Sequence, residues 1–189
     1  MNDAAEAILC ELYVLRCRRG DADAWRDMIG HFERRLLYYV RRLVPDERDA
    51  WDVLQQTWMA ALRGLSSLQE PRALKTWLYR LAHNHAISLR RRRGIEVPSH
   101  DPADLESVPA GEAADEPEPW RAEAAAHVHA GLAELSLPHR AVLTLHYLED
   151  LGVAEIAEVL DVPAGTVKSR LFHARRAMRH VLERRGVTP

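Results

Sequence analysis

Apolar residues recur along this chain at helical spacing almost everywhere outside one central stretch, and no segment alternates apolar and polar residues in the manner of a strand. The pattern predicts an all-α protein. A first helix covers roughly residues 3 to 18 and ends at Arg18-Arg19-Gly20. A second begins near Asp21, a good N-cap, and runs to about Val44, with Trp25, Ile29, Phe32, Leu36, Tyr39, Val40 and Leu43 on one stripe. Pro45-Asp46 breaks it. The third, about 46 to 63, carries Ala50, Leu54, Trp58 and Leu62 along a face and is stopped by Gly64. The fourth follows Pro71 and runs into Arg90, Arg91, Arg92 and Arg93 before Gly94.

Residues 95 to 119, IEVPSHDPADLESVPAGEAADEPEP, hold five of the ten prolines and no aromatic residue. Such a segment buries too little apolar area to offset the entropy of ordering it. It is expected to be a flexible acidic linker able to span at most about 80 Å. Beyond it, helices are expected from Trp120 to about Leu135 and from Pro138 to about Glu149. A short helix over 153 to 160, a tight turn at Asp161-Val162-Pro163 and a long helix from Ala164 to about Arg185 complete the chain. The organisation is therefore two small helical domains, 1 to 94 and 120 to 189, joined by 95 to 119.

Charge changes the picture only through its distribution. The formal net charge is −2, too small to indicate a partner, but residues 1 to 94 carry 17 Lys+Arg against 12 Asp+Glu, and 95 to 124 carry 1 against 9. An acidic middle conceals a basic front. Cys10 and Cys17 form neither a disulfide framework nor a zinc pattern and are expected to be buried or idle thiols. The N-terminus lacks the order of a signal peptide, and no apolar run approaches the roughly 20 residues of a membrane span. A cytoplasmic protein without membrane insertion is expected.

The letters His83-Asn84-His85 would suit a metal nuclease, but on a helix His83 and His85 point about 200° apart and cannot share one metal. No Asp/Glu/His group at metal-ligand spacing surrounds them. Neither a metal nor another cofactor is expected, and no enzyme activity. The last helix points elsewhere. Val167, Leu171, Ala174, Met178 and Val181 or Leu182 make one buried face, while Thr166, Ser169, Arg170, His173, Arg176 and His180 lie opposite, flanked by Lys168, Arg175 and Arg179. A helix-turn-helix sets the first turns of its second helix in the DNA major groove, where such side chains meet base edges and phosphates. Asp161 stands where the turn needs a left-handed backbone, which Asp tolerates better than most residues. The alternative is a helical hairpin whose basic stripe is only solvated.

The segment LSLPHRAVLTLHYLEDLGVAEIAEVLDVPAGTVKSRLFHARRAM resembles the minus-thirty-five-binding domain, region 4, of the extracytoplasmic-function (group IV) sigma factors of bacterial RNA polymerase. DAWDVLQQTWMAAL followed by KTWLYRLAHNHAISLRRRR resembles the promoter-melting domain, region 2, of the same family. The resemblance covers about 20 to 94 and 125 to 185 and departs from the family pattern at Trp51, Trp58, His83, His85 and Ser88.

The resemblance implies a non-catalytic subunit that binds core polymerase, selects a promoter and opens it. Asp49, Asp52, Leu54, Gln55 and Gln56 would dock on the β′ clamp helices, and a further contact would be made to the β flap. Minus-ten DNA would meet the loop over 66 to 72 with Arg72, Lys75, Trp77, Arg80, His83, Asn84, Arg90, Arg91, Arg92 and Arg93. The spacing of Trp77 with Leu74, Leu78 and Leu81 favours a core position over a base-stacking platform. Minus-thirty-five DNA would meet Thr166, Lys168, Ser169, Arg170, His173, Arg175 and Arg176. His83 is expected to make a DNA contact sensitive to pH near neutrality, and His85 to be packed. The linker would enter the polymerase RNA channel or act as a plain spacer. An anti-sigma factor is an expected partner. The competing reading is a helix-turn-helix regulator that binds an operator without joining polymerase.

Overall fold

The computed structural model describes residues 3–95 and 123–186, with side chains from 4–95 and 127–186. The expected linker, but for Ile95, lies outside the described residues.

Helix α1 (Asp3–Arg18) buries Glu6, Cys10, Tyr13, Val14 and Cys17 along one face. Burial raises the Cys10 thiol to about 11, so it is held as an unreactive thiol. Gly20, at φ +82, turns the chain. Asp21 then caps α2 (Ala22–Leu43), its carboxylate accepting the backbone N–H groups of Asp23 at 2.9 Å and Ala24 at 3.1 Å. The buried face of α2 runs through Ala24, Met28, Phe32, Leu36, Tyr39, Val40 and Leu43. Trp25 and Ile29, expected on this stripe, are only half-buried. Two rows of the helix share Phe32 and Leu36, and packing selects the one that passes through Ala24 and Met28.

Helix α3 (Glu47–Gly64) is capped by Asp46 and buries Asp49, Ala50, Val53, Leu54, Thr57 and Ala61. The expected row of Ala50, Leu54, Trp58 and Leu62 fails at its end, for Trp58 is half-buried and Leu62 is 64% exposed. A strict four-residue repeat drifts about 40° per step around a helix of 3.6 residues per turn, so three steps carry Leu62 roughly 120° away from Ala50. Single turns at Leu65–Ser67 and Pro71–Ala73 lead into α4 (Leu74–Arg92), which buries Leu74, Leu78, Tyr79, Ala82, Ala86 and Leu89 against α2 and α3.

In the C-terminal half, α5 (Glu123–Glu134) packs on the last helix and α6 (Leu137–Leu143) is shorter than expected. Its continuation, Thr144–Leu148, widens into a π-helical turn. Here the Thr144 hydroxyl donates to the Arg140 carbonyl at 2.9 Å, a bond that competes with the regular backbone ladder. Helices α7 (Val153–Leu160) and α8 (Ala164–Arg184) form the helix-turn-helix. Asp161 between them has φ 53 and ψ 51, the left-handed conformation that the turn requires. The two halves touch: α4 lies against α7, and α2 against α6.

Candidate polymerase and nucleic-acid interface

Three surfaces collect the residues singled out in the sequence. On α3, Asp52, Gln55 and Gln56 are exposed. Asp49 and Leu54 are not surface residues. Leu54 is packed in the core, and the fully buried Asp49 carboxylate pairs with the Arg93 guanidinium. In their place the outer face of α3 presents Trp51 (46% exposed), Met59 (52%) and Leu62 (64%) beside Gln55. Large apolar side chains interleaved with amides are suited to helix-on-helix docking.

The second surface is the loop over 66 to 72 with the outer face of α4. Arg80, Asn84, Arg91 and Arg92 are exposed there. Arg72 is also exposed and pairs with Glu11 at 2.8 Å. Lys75 belongs elsewhere: it is buried, and its ammonium donates to Glu6 at 2.7 Å. A charge in the apolar stripe of a helix cannot reach DNA from that position and is instead held by a buried carboxylate. Trp77 is half-buried against Gly64, where an added Cβ would stand 3.0 Å from its ring, so the core reading is the one that the packing realises. Arg90 is half-buried and donates to the Leu43 carbonyl at 3.0 Å, tying α4 to the end of α2. Arg93 spans Asp46 and Asp49.

His83 is turned inward. Its Nδ1 lies 2.9 Å from the hydroxyl of the fully buried Tyr39. Burial, with the nearby Arg170 guanidinium, lowers its pKa to about 4. The expected pH sensitivity near neutrality is therefore not a property of this histidine. His85 is half-buried and its pKa is also lowered, mainly by burial.

On α8, Lys168 and Arg176 are exposed, and Thr166, His173 and Arg175 are half-buried. Arg176 lies over the Phe172 ring with 5.8 Å to its centroid. Ser169 and Arg170, expected on the open face, are buried, Arg170 to 6%. Arg170 shares a cleft of about 510 Å³ with His83, Asn84, Ser88, Arg91 and Asp161, where α8 and its turn meet α4. The helix has a basic face as expected, but the other half of the chain covers part of it.

Two features escaped the sequence reading. One is an apolar groove of about 410 Å³ between α5, α6 and α8, lined by Val128, Leu132, Tyr147, Leu148, Met178 and Leu182. The other is a buried ionic cluster of Glu6, Arg35, Lys75 and Glu149. Charges at core-facing helical positions were its signal, with Glu6 in line with Cys10, Tyr13 and Cys17, and Lys75 beside Leu74 and Leu78. No group of three His, Cys, Asp or Glu side chains able to hold a metal occurs among the described residues. No helix among them is long and apolar enough to cross a membrane.

A helix-turn-helix with a basic outer face, preceded by a helical bundle with an exposed apolar stripe and a cationic helix end, places the chain in the class of helix-turn-helix proteins. Comparison with known proteins gives the class a family. Residues 28–95 match the profile described as "Sigma-70 region 2", and 127–178 that described as "Sigma-70, region 4". The chain is 34% identical to an RNA polymerase sigma-H factor of Pseudomonas aeruginosa, over 90% of this chain and 92% of that one. It is 33% identical to the ECF RNA polymerase sigma-E factor of Escherichia coli, over 92% and 94%. The solved structure of the sigma factor RpoE in complex with the anti-sigma factor NepR, from Bartonella quintana, superposes with a TM-score of 0.61 at 25% identity, covering 84% of this chain and 98% of that one. That of CnrH in complex with the cytosolic domain of CnrY gives 0.63 at 23% identity, covering 95% and 98%, a likeness of fold. The chain belongs to the sigma-70 family of RNA polymerase sigma factors.

Proposed function

We propose that the chain is a group IV, extracytoplasmic-function sigma factor that works in the cytoplasm as a non-catalytic specificity subunit of RNA polymerase. The observation that carries this is the presence of both promoter-reading regions, in order, on a chain aligned over 92% of its sigma-H relative. An operator-binding regulator has no need of the first of those regions.

The parts divide as follows. The outer face of α3, with Asp52, Gln55 and Gln56 set among Trp51, Met59 and Leu62, docks on the β′ clamp helices. The apolar groove of the C-terminal half takes a helix of the β flap. Arg72, Arg80, Asn84, Arg91 and Arg92 follow the minus-ten DNA, cations tracking phosphates while an unpaired base is held in the loop over 66 to 72. Lys168 and Arg176 lead α8 into the minus-thirty-five major groove. An anti-sigma factor as partner is supported by the solved relative from Bartonella quintana, described in complex with an anti-sigma factor. The test is co-purification. Tagged chain mixed with core polymerase should elute as a stoichiometric complex, and a Leu62→Glu, Met59→Glu chain that still folds should not. Failure of the wild-type chain to bind core overturns the proposal.

A further inference from the structure

Arg175, expected on the DNA face of α8, lines the apolar groove between α5, α6 and α8 instead. Its guanidinium carbon lies 5.8 Å from the centroid of the Tyr147 ring. The Nε atom is buried and has no hydrogen-bond partner among the described residues. A buried donor without an acceptor is a costly arrangement. Arg179, one turn further along α8, is exposed and lines the same groove.

The groove is built by departures from regular helix packing. Gly131 lets α5 approach α8 closely, for an added Cβ there would stand 2.9 Å from the Met178 sulfur. From α6 comes the π-helical turn over Thr144–Leu148, a feature frequent at functional sites, which leaves Tyr147 49% and Leu148 38% exposed beside the groove that they line. Among the described residues no acidic side chain lines it, and both of its charges are positive. Its volume of about 410 Å³ falls within the roughly 300–1,000 Å³ of small-molecule sites.

We infer that this groove binds one free medium-chain fatty acid, with the tail among Leu132, Met178 and Leu182 and the carboxylate on Arg175 and Arg179. Aliphatic and thioether surface takes an alkyl tail, and a carboxylate gives the buried Nε the acceptor that the protein itself does not supply. An uncharged ligand leaves that donor unpaired, and a cationic one is repelled by two guanidiniums. A groove of this volume holds one such tail and not the paired tails of a membrane lipid. The binding stands on the groove's own geometry. Its consequence for transcription rests on the sigma-factor reading, in which the same groove takes a helix of the β flap, so that acid and polymerase exclude each other there.

The experiment uses the full chain with isotope-labelled methionine methyl groups, read by NMR. Of its four methionines, Met178 lines the groove, Met28 is fully buried in the N-terminal core and Met59 is exposed on α3. Met28 therefore reports unfolding, and Met59 reports non-specific adsorption. Decanoate, octanoate and decanol are titrated, below the concentrations at which they aggregate, into wild-type and Arg175→Gln chains. Helical content is followed by circular dichroism.

Expected is a saturable shift of the Met178 methyl at one decanoate per chain, with Met28 and Met59 unmoved. Octanoate should bind about ten-fold more weakly, for two fewer buried methylenes, and decanol about ten-fold more weakly, for the lost charged hydrogen bond. Arg175→Gln should lose most of the preference for decanoate over decanol. No saturable shift at Met178, a shift that Met59 shares, equal binding of acid and alcohol by the wild type, or a preference that survives Arg175→Gln overturns the inference and leaves the groove to a partner helix. Where Arg175→Gln loses helical content, the wild-type comparison of acid and alcohol decides alone. Binding to core polymerase is scored separately, and decanoate should weaken it. If Met178 responds as expected while core binding is unchanged, the acid site stands and the flap assignment falls. If the wild-type chain never binds core, the sigma reading falls and the methyl titration still decides the acid site.

Discussion

The imidazole of His83 on α4 and the hydroxyl of Tyr39 on α2 share a hydrogen bond of 2.9 Å inside the helical bundle. This bond fixes the ring against the core. In the folded chain the histidine titrates at about 4, against an ordinary 6.5, because burial and then Arg170 disfavour the cation. Between those two values the unfolded chain holds the extra proton, so stability falls as pH drops from about 6.5 towards 4 and is not altered by this group above that window. Histidine ring shifts in NMR should give a midpoint near 4 for His83, and His83→Gln should flatten the acid limb of stability in urea titrations. A midpoint near neutrality would mean that the ring is not held as described.

Asp49 and Asp52 are three residues apart on α3 and should behave oppositely. Asp49 is buried and pairs with the solvent-exposed Arg93, and Asp52 faces solvent. Asp49→Ala should cost about 1–2 kcal/mol, less than the scale for a fully buried pair because Arg93 stands in solvent and keeps Asp46, read as a lower midpoint in chemical denaturation. Asp52→Ala should leave the midpoint unchanged and weaken association with core polymerase. If Asp49→Ala leaves stability unchanged and only core binding suffers, the placement of that carboxylate is wrong.

The helix-turn-helix hinges on Asp161 at φ 53. An L-residue pays about 1 kcal/mol for that conformation and glycine almost none. Asp161→Gly should therefore raise the melting temperature, and Asp161→Val should lower it by more than Asp161→Gly raises it. Equal effects of both substitutions would contradict the turn geometry.

Arg176 is exposed midway along the basic face of α8, over Phe172. Arg176→Ala should weaken binding to the minus-thirty-five element by about 1–3 kcal/mol if the side chain reads a base, or lower the salt slope by about 1 if it meets a phosphate. Association with core should be untouched. Equal loss of both activities would contradict the division of labour between the halves.

Much of this was legible in the amino-acid order. Helix limits in the N-terminal half, the Asp21 cap, the left-handed Asp161 and the basic face of α8 follow from local rules that need no knowledge of the rest of the chain. The errors share one cause. Periodicity shows which side of a helix is apolar but not what else packs on it, so it offers Lys75, Asp49, Ser169 and Arg170 to ligands although each is buried. Leu54 and Leu62 show the same limit from the apolar side: expected along one face, they part company, Leu54 lying in the core and Leu62 in solvent. The ion pair of Arg35 and Glu149 joins residues more than 100 positions apart, a separation at which helical periodicity carries no information.

The most direct test of the central reading is reconstituted transcription, with permanganate probing of the promoter DNA. With core polymerase, this chain and a promoter recovered from its genomic binding sites, the account predicts unpaired thymines around the minus-ten element and a discrete transcript, both absent when either protein is omitted. DNA bound by the chain but never opened, with no transcript at any promoter that it selects, would contradict it.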